Sequence, residues 1–240
     1  MDNKDYVYLS HINKSFNDFK ASCDVTFGAA KGALTALLGP SGSGKTTLLR
    51  MIGGLNHPDS GEIIIDGRVI NALPASKRGI GFVFQNYALF RYMTVEQNIG
   101  FGLEVQKKSK EEIKKSVKEL LSIVSLEGLE KRYPHQLSGG QRQRVAFARA
   151  IANNPDVLLL DEPFAAIDAK VRRELRSWLR DIVKQVGITS IFVTHDQEEA
   201  MEVADRIVII NEGKIEQVGT PEEIKEHPAT DFVKDFIYLT

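Results

Sequence analysis

The stretch GPSGSGKT, residues 39–46, lies between an apolar run at residues 33–38 and a stretch of helical character at residues 46–53. It fits the phosphate-loop pattern G-x-x-x-x-G-K-[ST] without a mismatch, and that pattern requires a strand before it and a helix after it. Glycines suit such a loop because backbone N–H groups must turn inward around a phosphate, at backbone angles closed to bulky side chains. Lys45 would place its charge on the β- and γ-phosphate oxygens, and the Thr46 hydroxyl can bind Mg²⁺. The stretch therefore predicts a nucleotide-phosphate site at the end of a strand.

Two adjacent acids close an apolar run further along the chain. The run VLLL at residues 157–160 has the composition of a buried strand, and Asp161 and Glu162 follow it directly. Ligands of α/β sheets bind at the carboxyl ends of the strands. Asp161 would orient Mg²⁺ and Glu162 would polarise the attacking water, whereas a solvated strand end explains the pair equally well when it is taken alone. Because a phosphate loop precedes the pair in an α/β chain, we favour the functional interpretation.

The remaining sequence alternates between strand and helix patterns. Between Ser109 and Glu130, apolar residues recur at spacings of three and four, which predicts helix without strand. Asp66-Gly67 suits the two-residue turn of a β-hairpin. Alternation on both sides of the helical stretch implies a mostly parallel sheet with helices on its faces. Besides the hairpin, strands are expected at residues 80–84, 157–160, 190–193 and 206–210, and helices at 142–152, 169–186 and 197–204.

The composition is that of a soluble globular protein. The 240 residues include 31 Lys and Arg against 32 Asp and Glu, for a net charge of −1, and 42% of them are hydrophobic. This near-neutral balance argues against a protein whose main task is to coat nucleic acid. Cys23 is the single cysteine, which excludes an internal disulfide. Residues 1–16 carry charges where a signal peptide needs an apolar run, and no apolar stretch reaches the ~18–20 residues of a membrane span.

The string LSGGQ, residues 137–141, precedes a strong helix. Ser138 suits the N-cap position, and the two glycines leave backbone N–H groups open to an anion. A capped helix explains the string locally but does not explain its presence beside a phosphate loop and an acidic pair. With these three motifs, the chain resembles the nucleotide-binding subunit of ATP-binding cassette (ABC) transporters, for which LSGGQ is the signature sequence.

The resemblance covers nearly the whole chain and implies its architecture. The expected fold class is α/β, with a P-loop NTPase (RecA-like) core around a parallel sheet, an N-terminal antiparallel β subdomain and an inserted α-helical subdomain. Residues 1–240 would form one ATPase domain. Its nucleotide-binding core would comprise residues 1–88 and 155–240, and its helical signature subdomain residues 89–154.

The resemblance also implies roles for single residues. Gln85 matches the Q-loop position that contacts Mg²⁺ or the lytic water, and His195 matches the switch histidine that touches the γ-phosphate, although a lone histidine is more often structural. Phe16 matches the aromatic residue that stacks on adenine; a half-buried strand aromatic is the alternative, and Phe19 is nearby. Asp168 matches the D-loop aspartate, after an Ala-Ala-Ile sequence that departs slightly from the usual small-Ala-Leu. Catalytic roles are thus expected for Lys45, Gln85, Glu162 and His195, and Mg²⁺ contacts for Thr46, Gln85 and Asp161. The expected ATP contacts are Phe16, Gly39, Pro40, Ser41, Gly42, Ser43, Gly44, Lys45, Thr46, Thr47, Ser138, Gly139, Gly140, Gln141 and Asp168.

Longer strings resemble importer ATPases and, within them, the sulfate/thiosulfate type. The strings are GFVFQNYALF at residues 81–90, MTVEQNI at 93–99 and THDQEEAM at 194–201. Polyamine, maltose and iron importers share several of them, so import of a polyamine, iron or a sugar is the alternative. Residues 101–103 and 174–180 favour sulfate. Such importers usually carry a further C-terminal regulatory domain. The sequence stops at Thr240 without it, which is expected either of a short form or of a fragment.

The family resemblance implies partners as well. The phosphate loop and the signature belong to different lobes, so each ATP would lie between Lys45 of one copy and Ser138 of a second copy in a head-to-tail dimer. Integral membrane permease subunits, and indirectly an extracytoplasmic solute-binding protein, would complete an assembly at the cytoplasmic face of the membrane, with no nucleic acid. Residues 85–93 are more apolar than an exposed loop should be, so they would either contact the permease or pack against the helical lobe.

Two other classes of function remain as alternatives. A soluble ABC ATPase acting on DNA or ribosomes would typically carry a long coiled-coil insertion or a second cassette, and the sequence contains neither. A binding module without hydrolysis would need a damaged site, whereas Lys45, Asp161, Glu162 and His195 are all present.

Overall fold

Two β-sheets organise the chain in the computed structural model, which describes residues 5–165 and 169–238. The strands are β1 (Asp5–Phe16), β2 (Phe19–Ala30), β3 (Leu34–Leu38), β4 (Ser60–Ile65), β5 (Arg68–Val69), β6 (Ile80–Val83), β7 (Val157–Asp161), β8 (Thr189–Thr194), β9 (Arg206–Asn211) and β10 (Lys214–Gly219). The helices are α1 (Lys45–Ile52), α2 (Val95–Val105), α3 (Lys110–Ile123), α4 (Gly139–Ile151), α5 (Ala169–Val186), α6 (Gln197–Val203), α7 (Pro221–Glu226) and α8 (Asp231–Tyr238). Short 3₁₀ turns lie at Ala75–Lys77 and Pro134–Gln136.

The larger sheet has six strands in the order β10-β9-β3-β8-β7-β6. Strands β9, β3, β8, β7 and β6 run parallel, and β10 pairs with β9 in the antiparallel direction. The mostly parallel sheet predicted from the alternation of elements is therefore confirmed. Because parallel strands end at the same edge, the carboxyl ends of β3, β7 and β8 lie side by side.

This sheet is covered on both faces, which explains the continuous apolar sequence of its strands. Along β7, Val157 and Leu159 join a buried cluster with α1 and the antiparallel sheet. Leu158 and Leu160 join the other buried cluster, with α4, α5 and α6. Successive residues of one strand thus anchor two different layers, so the end of β7 is fixed from both sides.

The smaller sheet is antiparallel, with strands in the order β2-β1-β4-β5. Its β4–β5 turn is formed by Asp66 and Gly67, whose φ angles of 49° and 71° are both positive. Positive φ at both central residues is the mark of the primed turn that the Asp-Gly sequence predicts. At the far end of the sheet, Phe16 pairs with Phe19 across the β1–β2 hairpin.

Helices α2, α3 and α4 form the region between β6 and β7. Ser109 caps α3 with a capping box, as its sequence position suggests. The helix predicted to extend to Glu130 ends at Ile123, because Ser125 adopts a left-handed φ of 55° that cannot continue a helix. Helix α4 begins at Gly139, three residues earlier than expected. No helix in residues 5–165 and 169–238 has both the length and the apolar character needed to cross a membrane.

Candidate functional site

The glycine-rich loop connects the end of β3 to the first turn of α1. Gly44 is the N-cap of α1 with a φ of 97°, and a Cβ atom there would lie 1.9 Å from the Ala21 carbonyl oxygen. No side chain caps this helix and no acidic residue lies in its first turn. Around Gly42, whose φ is 80°, the space is open. The first N–H groups of α1 are therefore available to an anion, as phosphate binding requires.

Lys45 is buried within the same loop. Its ammonium donates hydrogen bonds to the carbonyl oxygens of Gly39 at 2.8 Å and Pro40 at 2.6 Å, and to Ser43 Oγ at 3.2 Å. Burial lowers the pKa of Lys45 to about 8, an effect that the nearby Glu162 carboxylate partly offsets. A phosphate that enters the loop could replace the carbonyl oxygens as partners of this ammonium.

Thr46 and Asp161 meet at the base of this loop. The Thr46 hydroxyl donates a 3.0 Å hydrogen bond to Asp161 Oδ1, and the guanidinium of Arg50 lies 3.9 Å from Asp161 Oδ2. Burial raises the pKa of the Asp161 carboxyl, whereas the hydrogen bond from Thr46 and the charge of Arg50 lower it. Arg50 was not predicted as a site residue from the sequence, because it belongs to no recognised motif and is marked only by its place one turn after Thr46.

These oxygens fit Mg²⁺ in kind, because hard divalent cations take hydroxyl and carboxylate ligands. In residues 5–165 and 169–238, no group of three or more His, Cys, Asp and Glu side chains could hold a metal ion by itself. Mg²⁺ commonly keeps only one or two protein carboxylates and completes its shell with water and substrate phosphates. The pair of Thr46 and Asp161 beside the phosphate loop matches that arrangement.

Glu162 is the centre of a second group of polar side chains. Its carboxylate accepts a 2.9 Å hydrogen bond from Gln85 Nε2 and lies 3.6 Å from His195 Nδ1. The Glu162 backbone has a left-handed φ of 45°, and its N–H donates to the Val193 carbonyl oxygen at 3.2 Å. The turn at the end of β7 thus directs this carboxylate toward residues that follow β6 and β8. Three of the four predicted catalytic residues are in contact, and Lys45 is close enough for Glu162 to influence its pKa.

The residues on either side of His195 are fixed by hydrogen bonds and charges. The Thr194 hydroxyl donates a 2.5 Å hydrogen bond to Glu199 and accepts one from the Asp196 N–H at 3.0 Å. Asp196 caps α6, and Arg176 of α5 lies 3.7 Å from its carboxylate. Arg176 is itself buried and also pairs with Glu198 and Glu202. The loop that carries His195 is therefore anchored to α5 and α6.

The signature residues lie at the start of α4. Ser138 is the N-cap, with its hydroxyl accepting from the Gln141 N–H at 3.3 Å, and Gln141 Oε1 accepts from the Ser138 N–H at 2.9 Å. These side-chain bonds join Ser138 and Gln141 to each other and not to the phosphate loop. Contact of ATP with Ser138, Gly139, Gly140 and Gln141 stays a prediction. Asp168 lies outside the described residues.

The predicted adenine contact lies at the tip of the β1–β2 hairpin. Phe16 is 45% exposed, and the ammonium of Lys14 is 5.3 Å from the centre of its ring. A cavity of about 390 Å³ separates this hairpin from the phosphate loop, and its lining includes Phe19 but not Phe16. The other lining residues are Asp18, Lys20, Pro40, Ser41, Gly42, Ser43, Asn211 and Glu212. Stacking by Phe16 stays a prediction, and Phe19 is an aromatic residue at this cavity to which the sequence reading gave no role.

A larger cavity, of about 680 Å³, opens beside residues 86–92. Tyr87 is buried and Leu89 packs against the core, whereas Tyr92 is 95% exposed. Packing thus accounts for the first half of the apolar segment, and contact of its exposed end with a permease stays a prediction. The lining residues are Asn86, Tyr87, Leu89, Arg91, Tyr92, Tyr133, Pro134, His135 and Arg142.

Comparisons with known proteins show which family the chain resembles. The family model described as "ABC transporter" matches residues 23–165. The sulfate/thiosulfate import ATP-binding protein CysA of Synechocystis is 61% identical over 96% of this chain, and the chain spans 65% of that relative's length. The corresponding protein of Pectobacterium atrosepticum is 56% identical, over 96% of this chain and 71% of its own length. The resemblance to importer ATPases of the sulfate/thiosulfate type is therefore confirmed.

Solved structures have the same fold. The cbiO1 protein of Clostridium perfringens, described as part of the ABC transporter complex cbiONQ, superposes with a TM-score of 0.85 and 31% identity, over 99% of this chain and 96% of its own. An ATP-binding cassette described as a dimer in a post-hydrolysis state, with ADP and Pi bound, gives a TM-score of 0.77 and 35% identity, over 90% of this chain and 98% of its own. The predicted P-loop NTPase fold is confirmed, and the chain belongs to the ABC transporter family.

Proposed function

We propose that this chain is the ATP-hydrolysing subunit of an ABC importer that couples ATP binding and hydrolysis to the uptake of sulfate or thiosulfate. The observation that carries hydrolysis is the Glu162 carboxylate, held by Gln85 and near His195 at the edge of the phosphate loop. The solute is inferred from the sulfate/thiosulfate import ATP-binding proteins that are 56–61% identical to this chain.

The chain's own residues divide the work of hydrolysis. The first N–H groups of α1 and the Lys45 ammonium bind the β- and γ-phosphates. Glu162 accepts a proton from the attacking water, which Gln85 and His195 help to orient at the γ-phosphate. Thr46 and Asp161 would hold Mg²⁺, and Gln85 would be a further contact. When bound, Mg²⁺ neutralises charge that develops on the phosphate oxygens.

ATP binding would close two copies of the chain around two nucleotides. In this arrangement, Ser138, Gly139 and Gly140 of one copy contact the γ-phosphate bound to Lys45 of the other. The dimeric cassette with ADP and Pi among the solved neighbours supports the proposal. Phe16 would stack on adenine and Asp168 would lie at the interface. Residues 89–154 would move as the helical signature subdomain against the core of residues 1–88 and 155–240.

The 680 Å³ cavity is our candidate for the permease contact. It combines an exposed aromatic residue, Tyr92, with two cationic side chains, Arg91 and Arg142. Its wall is formed by the segment that follows Gln85, so a permease seated there would act on a loop connected to the hydrolytic site. The complex would lie at the cytoplasmic face of the membrane and would meet the solute-binding protein only through the permease.

Replacing Glu162 with Gln tests the hydrolytic assignment. The amide preserves shape but cannot accept the proton of water, so kcat should fall by roughly 10²- to 10⁴-fold while ATP still binds. Trapped ATP should then hold two chains together, which gel filtration with Mg-ATP detects. Glu119→Gln, at an exposed position of α3, is the control and should keep wild-type kcat. Unchanged kcat in Glu162→Gln would overturn the assignment.

The solute is tested separately by uptake. A strain that lacks its own sulfate-importer ATPase should recover labelled sulfate uptake when it produces this chain, and Glu162→Gln should not restore it. Recovery of polyamine, iron or sugar uptake in matching deletion strains, without sulfate uptake, would overturn the solute while leaving the ATPase intact.

A further inference from the structure

Tyr87 and Ala88 form a backbone turn that L-amino acids rarely adopt. Their φ angles are 62° and 45°, so two consecutive residues other than glycine lie in the left-handed region. Such conformations persist only where the surroundings impose them, and they cluster at functional sites. The turn begins two residues after Gln85, whose amide donates to Glu162. The conformation of this turn therefore affects the position of the Gln85 backbone, from which the side chain extends.

Arg149, from the signature helix α4, holds this turn. Its two terminal nitrogens donate to the carbonyl oxygens of Tyr87 and Ala88, each at 2.8 Å. Its guanidinium also lies 5.3 Å from the centre of the Phe90 ring. Only a planar fork of donors can satisfy two neighbouring carbonyl groups while it stacks on an aromatic ring, and lysine has no such fork.

A second residue holds the other end of the same segment. The buried Asn98 side chain accepts from the Phe90 N–H at 2.9 Å and donates to the carbonyl oxygens of Phe90, Met93 and Thr94. The segment from Gln85 to Thr94 is thus anchored near both ends, by α4 through Arg149 and by α2 through Asn98. Part of this segment also lines the 680 Å³ cavity, so Arg149 connects α4 to the wall of that cavity.

We propose that Arg149 is a positioning residue for Gln85: it fixes the turn at Tyr87 and Ala88 and so keeps the Gln85 amide on the Glu162 carboxylate. This inference rests on the proposed ATPase function. Arg149 touches neither substrate nor reacting atoms in this scheme. It acts through the backbone, and it joins the helix that carries the signature to the loop that serves hydrolysis.

The first test is the substitution Arg149→Lys. It keeps the charge and loses the fork, so kcat should fall by roughly 10- to 100-fold, with KM for ATP unchanged, because a misplaced catalytic group slows turnover without weakening nucleotide binding. Arg144→Lys is the matched control on the same helix. Arg144 stacks on Trp178 at 5.1 Å and has no bond to the loop after Gln85, so its kcat should stay close to wild type.

A double-mutant cycle separates positioning from general structural damage. In the Gln85→Ala background, Arg149→Lys should cause no further loss of kcat, because the residue through which it acts is gone. The same fold-loss in both backgrounds would overturn the proposal. Ala88→Gly should recover part of the activity of Arg149→Lys, since glycine adopts the left-handed turn without support. No recovery would also overturn it.

A measurement independent of turnover completes the test. Hydrogen exchange of amides in residues 86–90 of the nucleotide-free protein should rise in Arg149→Lys and not in Arg144→Lys.

If Arg149→Lys fails to fold, Phe90→Leu removes the ring beneath the guanidinium and should show the same dependence on Gln85 in the cycle. A wild-type protein without ATPase activity would refute the proposed function. An active wild type with equal kcat in Arg149→Lys would refute only this inference.

Discussion

The Thr46 hydroxyl donates a 3.0 Å hydrogen bond to Asp161 Oδ1 and thereby joins two residues that are 115 positions apart in the chain. One lies in the first turn of α1 and the other ends β7. Asp161 is 4% exposed, so its carboxylate is held in place by the sheet around it. The oxygen pair that would bind Mg²⁺ is therefore formed by the fold before any ligand arrives.

Asp161→Asn should weaken the response to Mg²⁺. The amide oxygen can still accept from Thr46, but it lacks the negative charge that attracts a hard cation. We expect the Mg²⁺ concentration for half-maximal ATPase activity to rise by at least about tenfold, in line with the cost of losing a metal-tuning group. Binding of ATP in the presence of EDTA should be unchanged. A Mg²⁺ response equal to that of wild type would contradict the assignment.

Lys45 should make ATP binding dependent on pH above about 8. Below that pH, Lys45 is charged in both the free and the ATP-bound protein, so it contributes no pH dependence. Above it, the free protein loses the proton, whereas the phosphates favour the charged form. Binding then takes up a proton, and affinity should fall by up to about tenfold per pH unit. Calorimetry at pH 7 and pH 9, in buffers of different ionisation enthalpy, measures this uptake.

The control for this prediction is Lys45→Arg, which remains charged throughout that range. It should bind ATP without additional proton uptake at pH 9. Equal uptake in wild type and Lys45→Arg would assign the proton to another group.

The signature should complete the site of the partner copy. Ser138→Arg and Lys45→Ala homodimers each have two singly damaged sites and should be nearly inactive. Their heterodimer has one site damaged on both sides and one intact site, so mixing the two proteins should restore part of the ATPase activity. The assay should include the permease, which raises the effective concentration of the two chains. Full activity of the Ser138→Arg homodimer would show that the signature is not part of the catalytic site.

Arg78 should contribute to stability rather than to chemistry. It is 5% exposed, and its guanidinium donates to the carbonyl oxygens of Met51 and Ile52 at the end of α1. In Arg78→Met, the Met51 oxygen would keep the Gly54 N–H at 3.2 Å, whereas the Ile52 oxygen would lose its side-chain donor. This loss should cost about 1–3 kcal/mol of unfolding free energy. Urea denaturation measures the change. The neighbouring exposed Lys77→Met should change it by less than about 0.5 kcal/mol.

The sequence by itself determined the local features of this protein. Asp66-Gly67 specifies its turn because few other residue pairs accept two positive φ angles. The apolar run before Asp161 specifies a strand buried on both faces, and the glycines before Lys45 specify a loop that only small residues can form. Each of these features depends on residues that are adjacent in the chain, so their chemistry is readable from the order of residues.

Only the tertiary structure decided which distant residues meet. Gln85, Glu162 and His195 come together because β6, β7 and β8 are neighbours in one parallel sheet, and strand order is a property of the whole core. No local sequence signal predicts that Phe19 lines the cavity by the phosphate loop. None predicts that Arg149 donates hydrogen bonds to the turn after Gln85. Both arrangements arise from contacts between residues far apart in the chain, which form only when the layers pack.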